Sequence, residues 1–289
     1  MLSVFRWLSR WPLPLLHVCG ALAGWLTYLV SPTYRRRFRA NAAQAGVPAR
    51  EARAAITEAG RMVMELPSLW LRPVDRPLGD TLRWDGTAHI EAALAAGRGV
   101  VFLTPHMGCF EVCAQALAER FGAITVLFRP ARKEWVRRLV DSSRERPALH
   151  TAPANLAGVR KMIRALRRGE MVGLLPDQVP PEGMGVWAPF FGRPAYTMTL
   201  AARLAQQTGA AVVMVWGERL PRGAGYALHF SPFTEALPAD PAAQVEAATA
   251  VNRAIERVIR ECPRQYLWGY HRYKTPRQAA VAPEAGAAP

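Results

Sequence analysis

From Asp80 onward the sequence alternates short apolar runs with stretches of helical length, and this alternation constrains the fold more than any other feature. The predicted strands lie at 82–85, 100–104, 124–128, 171–175, 211–216 and 226–230. The predicted helices lie at 89–96, 110–120, 134–144, 156–168, 198–207 and 245–261. Such alternation predicts an α/β fold, with a mixed, mostly parallel sheet flanked by helices.

The N-terminal region departs from this pattern. Residues 11–30 carry no charge, and twenty helical residues reach about 30 Å, the thickness of a bilayer core. We therefore expect an uncleaved membrane anchor over 1–32. A domain is expected over 33–278, and it opens with a helix over 48–71. The Ala/Pro/Gly-rich tail over 279–289 is expected to be disordered. A helix lying in the membrane interface is the alternative to a spanning one.

Charge around the anchor predicts its orientation. Four arginines, at positions 35, 36, 37 and 39, follow the apolar stretch, whereas Arg6 and Arg10 precede it. Positive flanks stay in the cytoplasm, so the domain is expected on the cytoplasmic side of the membrane. The whole chain has a net charge of +15, which favours anionic partners such as a membrane surface or phosphorylated ligands. The cations are dispersed and form no recognised nucleic-acid module, so nucleic acid is not an expected partner.

Several chemistries find no support in the sequence. There is no G-x-S-x-G nucleophile elbow and no G-x-x-x-x-G-K-[ST] phosphate loop. The four cysteines form no C-x-x-C and the histidines no H-x-x-x-H, so we expect a reduced compartment, no metal and no cofactor.

His106 follows the apolar run 99–104 and Pro105, at the carboxyl end of a predicted strand. Open α/β sheets bind their ligands at this edge. Glu111, five residues later, falls in the first turn of the next predicted helix, from which it can reach back to one imidazole nitrogen and leave the other as a base. A structural histidine beside a carboxylate that complements the helix dipole is the alternative.

Further segments carry residues suited to the same site. Arg129 and Asp177 each follow a predicted strand, and Gln178 comes next. An apolar, aromatic loop over 185–197 contains Phe190, Phe191 and Arg193, and an aromatic-basic segment covers 263–274. Because strand ends meet at one edge of a parallel sheet, these residues are expected to border a common cleft.

Taken in order, these motifs resemble the late acyltransferases of lipid A biosynthesis, within the lysophospholipid acyltransferase superfamily. His106 with Glu111 is similar to the H-x4-D/E motif of that family. Four further motifs follow in the order of the family: Phe128-Arg129-Pro130, Pro176-Asp177-Gln178, Pro189-Phe190-Phe191-Gly192 and Gln265-Tyr266-Leu267-Trp268. The resemblance covers nearly the whole chain, from the N-terminal anchor to the aromatic-basic C-terminus.

The resemblance implies transfer of a fatty acyl group from acyl carrier protein to a hydroxyl of a Kdo-bearing lipid A precursor. His106 would be the general base, oriented by Glu111, and the oxyanion donors would come from the helix after Gly108 or from Arg129. The implied substrate contacts are Arg129, on a phosphate of the acceptor, Asp177, on a sugar hydroxyl or a cation, and Gln178, Phe190, Phe191 and Arg193. The alternatives are the same chemistry on another glycolipid or lysophospholipid, and a non-catalytic protein that binds anionic lipid.

Overall fold

The computed structural model describes residues 2–79, 82–128 and 146–278. Arg129, the predicted helix 134–144 and the predicted tail 279–289 lie outside these residues. The helices are α1 (Leu2–Leu8), α2 (Leu13–Val30), α3 (Pro32–Gln44), α4 (Ala49–Trp70), α5 (Thr87–Ala95), α6 (Phe110–Phe121), α7 (Leu156–Arg167), α8 (Leu200–Thr208) and α9 (Gln244–Glu261). The strands are β1 (Leu82–Asp85), β2 (Val100–Leu103), β3 (Ile124–Phe128), β4 (Leu149–Pro153), β5 (Met171–Leu174), β6 (Gly185–Phe190), β7 (Arg193–Met198), β8 (Ala211–Arg219) and β9 (Tyr226–Pro232).

Seven strands form one sheet in the order β1-β9-β8-β2-β5-β3-β4. All neighbouring strands run parallel except β8 and β9, which are antiparallel. The predicted α/β class, with a mixed, mostly parallel sheet, is confirmed. Strand β2 is central and buried throughout, which explains why it reads as a continuous apolar run rather than an alternating one.

The two faces of the sheet carry different helices. Side chains of α5 and α6, such as Ile90 and Leu117, pack with one face, and side chains of α7, α8 and α9, such as Met162 and Ile255, pack with the other. Each layer buries the apolar stripe of its helices, which is the driving force for this architecture.

Two parts of the sequence prediction were incomplete. Strand β4 was not predicted, because its sequence, LHTAP, lacks a run of β-branched residues. The segment expected to be an aromatic loop is a hairpin of β6 and β7, which turns at Phe191 and Gly192. Both turn residues have positive φ, +46° and +74°, as a two-residue turn with the twist of a hairpin requires.

Helix α2 is the one helix in the described residues that is long and apolar enough to cross a membrane. One of its faces packs closely along α4 through glycines. A Cβ on Gly24 would lie 2.3 Å from the carbonyl oxygen of Ile56, and one on Gly60 would lie 1.9 Å from that of Gly20. Helix α2 is therefore integrated into the domain along one side.

Candidate active site

His106 lies three residues beyond the end of β2, between the sheet and the start of α6. The buried β2 brings the chain to the carboxyl edge of the sheet, and Gly108 then turns it into the helix. Gly108 has φ +56°, and a Cβ there would lie 2.0 Å from the carbonyl oxygen of Gly217, so only glycine fits this turn.

The carboxylate of Asp177 contacts the imidazole of His106 on its Nδ1 side. One carboxylate oxygen of Asp177 lies 2.7 Å from Nδ1 of His106, and the other accepts the backbone N–H of His106 at 2.9 Å. An ionised carboxylate only accepts hydrogen bonds, so Nδ1 carries the proton and the lone pair is on Nε2. The contact fixes both the tautomer and the orientation of the ring.

The electrostatics of Asp177 agree with this geometry. Burial alone would raise the pKa of Asp177, but the charge of His106 and its two hydrogen bonds together hold that pKa below its usual value. Burial also raises the pKa of Tyr266 well above its usual value, and Asp177 acts in the same direction through its charge and a hydrogen bond. Asp177 is thus ionised beside a neutral phenol.

The backbone on both sides of His106 is fixed by the C-terminal segment. His106 accepts a hydrogen bond from Leu267 N, and Gly108 N donates to the carbonyl of Gln265 at 2.9 Å. Cys109 N donates to the carbonyl of Gly217 at 2.7 Å. The amides of Gly108 and Cys109 are therefore occupied, which removes two of the backbone donors that the sequence offered for an oxyanion.

A buried ion pair supports the same turn from the other side. Arg219 donates to the carbonyl of Gly108 at 3.0 Å and to both carboxylate oxygens of Glu65 in α4, at 2.8 and 2.5 Å. His17 of α2 also contacts Glu65, at 3.3 Å. Sequence reasoning missed this network, for which the charged pair Glu218-Arg219 at the end of the otherwise apolar β8 is a local signal.

One face of the His106 ring borders a cavity of about 470 Å³. Its walls are mostly apolar and come from α6, β3, β4, the segment after β5 and the start of α8. The lining residues are Trp70, His106, Phe110, Glu111, Ala114, Gln115, Val126, Leu127, Phe128, Leu149, Ala154, Leu175, Gln178, Val179, Pro180, Pro181, Met184, Met198 and Leu200. A base at the edge of an apolar cavity suits chemistry on a reactive group that carries a hydrocarbon chain.

Three of the predicted site residues meet at this cavity: His106, Glu111 and Gln178. Asp177 is not among the residues that line this cavity. Its side chain is 2% exposed and both of its oxygens are bonded to His106, a geometry that suits orienting the imidazole better than the expected contact with a sugar hydroxyl or a cation. Sequence analysis assigns the orienting contact to Glu111, because Glu111 is the carboxylate nearest to His106 along the chain.

The three hairpin residues Phe190, Phe191 and Arg193 are not among the residues that line the His106 cavity, and their role as substrate contacts stays a prediction. Phe190 is 1% and Phe191 7% exposed, and their rings pack on one another. Arg193 is exposed and stacks on the ring of Tyr273. The hairpin places the two phenylalanines against α9 and the C-terminal segment, where Phe191 contacts Glu256, Arg260 and Trp268.

The cysteines do not offer a nucleophile. All four are free thiols, and Cys109, the one closest to His106 in sequence, is 1% exposed. Burial raises the pKa of Cys109 well above its usual value and that of Cys113 to about 12. Within residues 2–79, 82–128 and 146–278 no cluster of three histidine, cysteine or acidic side chains has the geometry of a metal site.

Comparisons with known proteins identify the family. The family model described as bacterial lipid A biosynthesis acyltransferase matches residues 2–275. The chain is 30% identical to the lipid A biosynthesis lauroyltransferase of Escherichia coli (strain K12) over 217 residues, which cover 75% of this chain and 69% of that enzyme. It is 28% identical to the lipid A biosynthesis palmitoleoyltransferase of the same strain, with the same coverage.

A third similarity is to an enzyme named for a different lipid. The chain is 29% identical to the phosphatidylinositol mannoside acyltransferase of Mycobacterium tuberculosis (strain CDC 1551 / Oshkosh) over 193 residues, which cover 65% of this chain and 58% of that enzyme. The family match over residues 2–275 nevertheless spans almost the entire sequence. The chain therefore belongs to the bacterial lipid A biosynthesis acyltransferase family and is an acyltransferase of lipid A biosynthesis.

Proposed function

We propose that this enzyme transfers a fatty acyl group from acyl carrier protein to a hydroxyl of a Kdo-containing lipid A precursor, with His106 as the general base. The observation that carries the proposal is the His106–Asp177 contact of 2.7 Å beside an apolar cavity. It supplies a base of fixed tautomer next to a space that accepts a hydrocarbon chain.

The chemistry needs one proton acceptor and no covalent enzyme intermediate. Nε2 of His106 takes the proton of the acceptor hydroxyl as its oxygen attacks the thioester carbonyl. The tetrahedral intermediate then collapses, the carbon–sulfur bond breaks, and the thiolate takes the proton from Nε2. Asp177 stabilises the imidazolium between these steps, since its carboxylate remains ionised.

The remaining polar residues complete the proposed site. Glu111 and Gln178 border the cavity beside His106 and are assigned to the acceptor or to the imidazole. Arg129 is assigned to a phosphate of the acceptor, because guanidinium groups bind phosphate in a bidentate manner. Since the amides of Gly108 and Cys109 are occupied, the oxyanion is assigned to the amide of Phe110 at the first turn of α6, or to Arg129.

A test uses purified enzyme, acyl carrier protein thioester and a Kdo-bearing lipid A precursor, with the product mass measured. Gain of one acyl group on the precursor supports the proposal. The similarity to a mannoside acyltransferase favours one second candidate, the same transfer to a mannosylated phosphoinositide. Offering both acceptors at equal concentration discriminates the two, since kcat/KM for the true acceptor will be the larger.

We further propose that α2 lies in the plane of the cytoplasmic membrane surface instead of crossing the bilayer. Its outward stripe is apolar and exposed: Leu15, Val18, Leu22, Leu26 and Leu29. Its opposite face packs on α4, which carries Glu58, Arg61 and Glu65 alongside. A spanning α2 would draw these charges toward the bilayer core, where each is costly. An in-plane helix keeps them in the protein and presents only the stripe to lipid.

The position of the N-terminus separates the two modes of anchoring. With α2 in the plane, a cysteine introduced as Ser3→Cys stays in the cytoplasm, and a membrane-impermeant maleimide added to intact cells does not label it. The same chain without the substitution corrects for Cys19, and a periplasmic reporter cysteine confirms that the reagent enters. Labelling of the variant in intact cells would show that α2 crosses the membrane.

A further inference from the structure

The cavity beside His106 is elongated, and its far end is formed by residues that neither the family motifs nor the chemistry single out. Along α6 the lining residues are Phe110, Glu111, Ala114 and Gln115, so this wall extends about 7 Å along the helix at 1.5 Å per residue. On the sheet side, Phe128 lies at one end and Leu149 at the other. Leu149 pairs with Ile124, four residues before Phe128, which corresponds to about 13 Å.

Trp70, the last residue of α4, also lines the cavity. It is placed there by Gln115, whose side-chain amide donates to the carbonyl of Leu69 at 3.3 Å. Since Gln115 is the lining residue of α6 farthest from His106, Trp70 lies beyond the reach of the catalytic groups. It can contact a bound hydrocarbon chain only near the end of that chain.

The Trp70 wall is held from several sides. Arg72 donates to the side-chain carbonyl of Gln115 at 2.9 Å, and Arg146 donates to the carbonyl of Arg72 at 2.8 Å. On the outer side, the ring of Phe5 in α1 stacks on the indole with centroids 6.0 Å apart. A wall fixed by hydrogen bonds and by a second aromatic ring moves aside less readily than a side chain in open space.

We propose that Trp70 closes the acyl cavity and sets the longest fatty acyl chain that the enzyme transfers. The inference rests on the proposed function in taking the donor chain to be the occupant of this cavity. A chain that just reaches the indole is fully buried, while each further methylene must displace Trp70 and the Phe5 ring behind it. Overpacking of this kind is unfavourable, so longer donors are rejected.

The test is a competition among acyl carrier protein thioesters of increasing saturated chain length, with product masses measured for the full-length enzyme and its variants. Trp70→Ala opens the end of the cavity and is expected to raise the ratio of longer to shorter product by about tenfold or more, the usual discrimination for one methylene in an apolar pocket. Trp70→Leu keeps apolar contact with Phe5, folds more readily, and is expected to shift the ratio in the same direction by less.

Two controls make the result specific. Ala114→Met narrows the cavity midway along α6 and is expected to shift the product toward shorter chains. Trp187→Ala removes an exposed indole that does not border the cavity and should leave the profile unchanged. An unchanged profile in active Trp70→Leu or Trp70→Ala enzyme overturns the role of Trp70, whereas wild-type enzyme that transfers no chain from any thioester overturns the proposed function instead.

Discussion

Two buried histidine–carboxylate pairs in this enzyme look similar and have different surroundings. His106 contacts Asp177 at 2.7 Å, and His17 contacts Glu65 at 3.3 Å. The carboxylate of Asp177 serves His106 through both of its oxygens. The carboxylate of Glu65 instead receives two donors from Arg219 and a hydrogen bond from Tyr226, with His17 only one of its partners.

The two imidazoles also differ in their exposure to solvent. The His106 side chain is 18% exposed and borders the apolar cavity, whereas that of His17 is 6% exposed and lies between α2 and α4. Glu65 is hydrogen-bonded to the guanidinium of Arg219, whereas Arg272 acts on Asp177 through its charge alone, so the charge of Glu65 is the more fully compensated of the two. The comparison supports the proposal that His106 is the base, because its ring borders a cavity, and it assigns the enclosed His17–Glu65 pair to the fold.

The largest expected effect is loss of the base. His106→Ala should lower kcat by roughly 10²–10⁴-fold, the usual contribution of a positioned general base. His17→Ala, the matched change in the other pair, should leave kcat within a few-fold of wild type in molecules that remain folded. Steady-state turnover of the carrier-protein thioester measures both, and near-normal kcat for His106→Ala would contradict the proposed mechanism.

The next effect is on stability and tests the structural pair. Arg219→Met leaves Glu65 buried without its main counter-charge, and removing one partner of a buried pair costs about 3–5 kcal/mol of unfolding free energy. Adding Glu65→Gln removes the uncompensated charge and should recover part of that loss. Urea unfolding followed by tryptophan fluorescence measures the free energy, and a double variant no more stable than the single one would show that the ion pair is not the source.

A smaller kinetic effect distinguishes the two carboxylates near His106. Asp177→Asn should lower kcat by less than His106→Ala does, because the imidazole remains, although the amide can present its N–H to Nδ1 and favour the wrong tautomer. Glu111→Gln should lower it less, since Nδ1 is already held by Asp177. Comparing kcat with KM for the acceptor assigns each role, and a larger loss of kcat in Glu111→Gln would return the orienting role to Glu111.

The smallest effect is the dependence of stability on pH. Burial alone would raise the pKa of Glu65, but its ion pair with Arg219 and its contacts with His17 outweigh it, so the pKa of Glu65, like that of Asp177, is below its usual value. A lowered folded-state pKa contributes stability that is present above the unfolded pKa of about 4 and is lost as pH falls through the folded value. Unfolding free energy should therefore fall below about pH 4, and less steeply in Glu65→Gln than in wild type. Equal slopes would mean that Glu65 takes up no proton on unfolding.

Most of the elements could be predicted from the sequence. Strand β3 has the predicted bounds, and α6 and α7 differ from theirs by a residue at one end, because each has a clear apolar pattern of the right period. Strand β4 and the β6–β7 hairpin were missed, because their strands depend on pairing with neighbours more than on their own composition. The position of His106 at the carboxyl edge of the sheet followed from the run before it.

The local sequence thus determined the fold class, the family and the position of the histidine that we propose as the base, because each depends on short motifs and on the period of apolar residues. Only the tertiary structure decided which carboxylate holds His106, since Asp177 lies 71 positions away and reaches it through the pairing of β2 with β5. The same holds for Trp70 at the end of the cavity and for Arg219 behind Gly108. Such contacts join residues that are far apart in sequence, and no local pattern records them, because they arise only when the sheet aligns its strand ends and the helices pack on it.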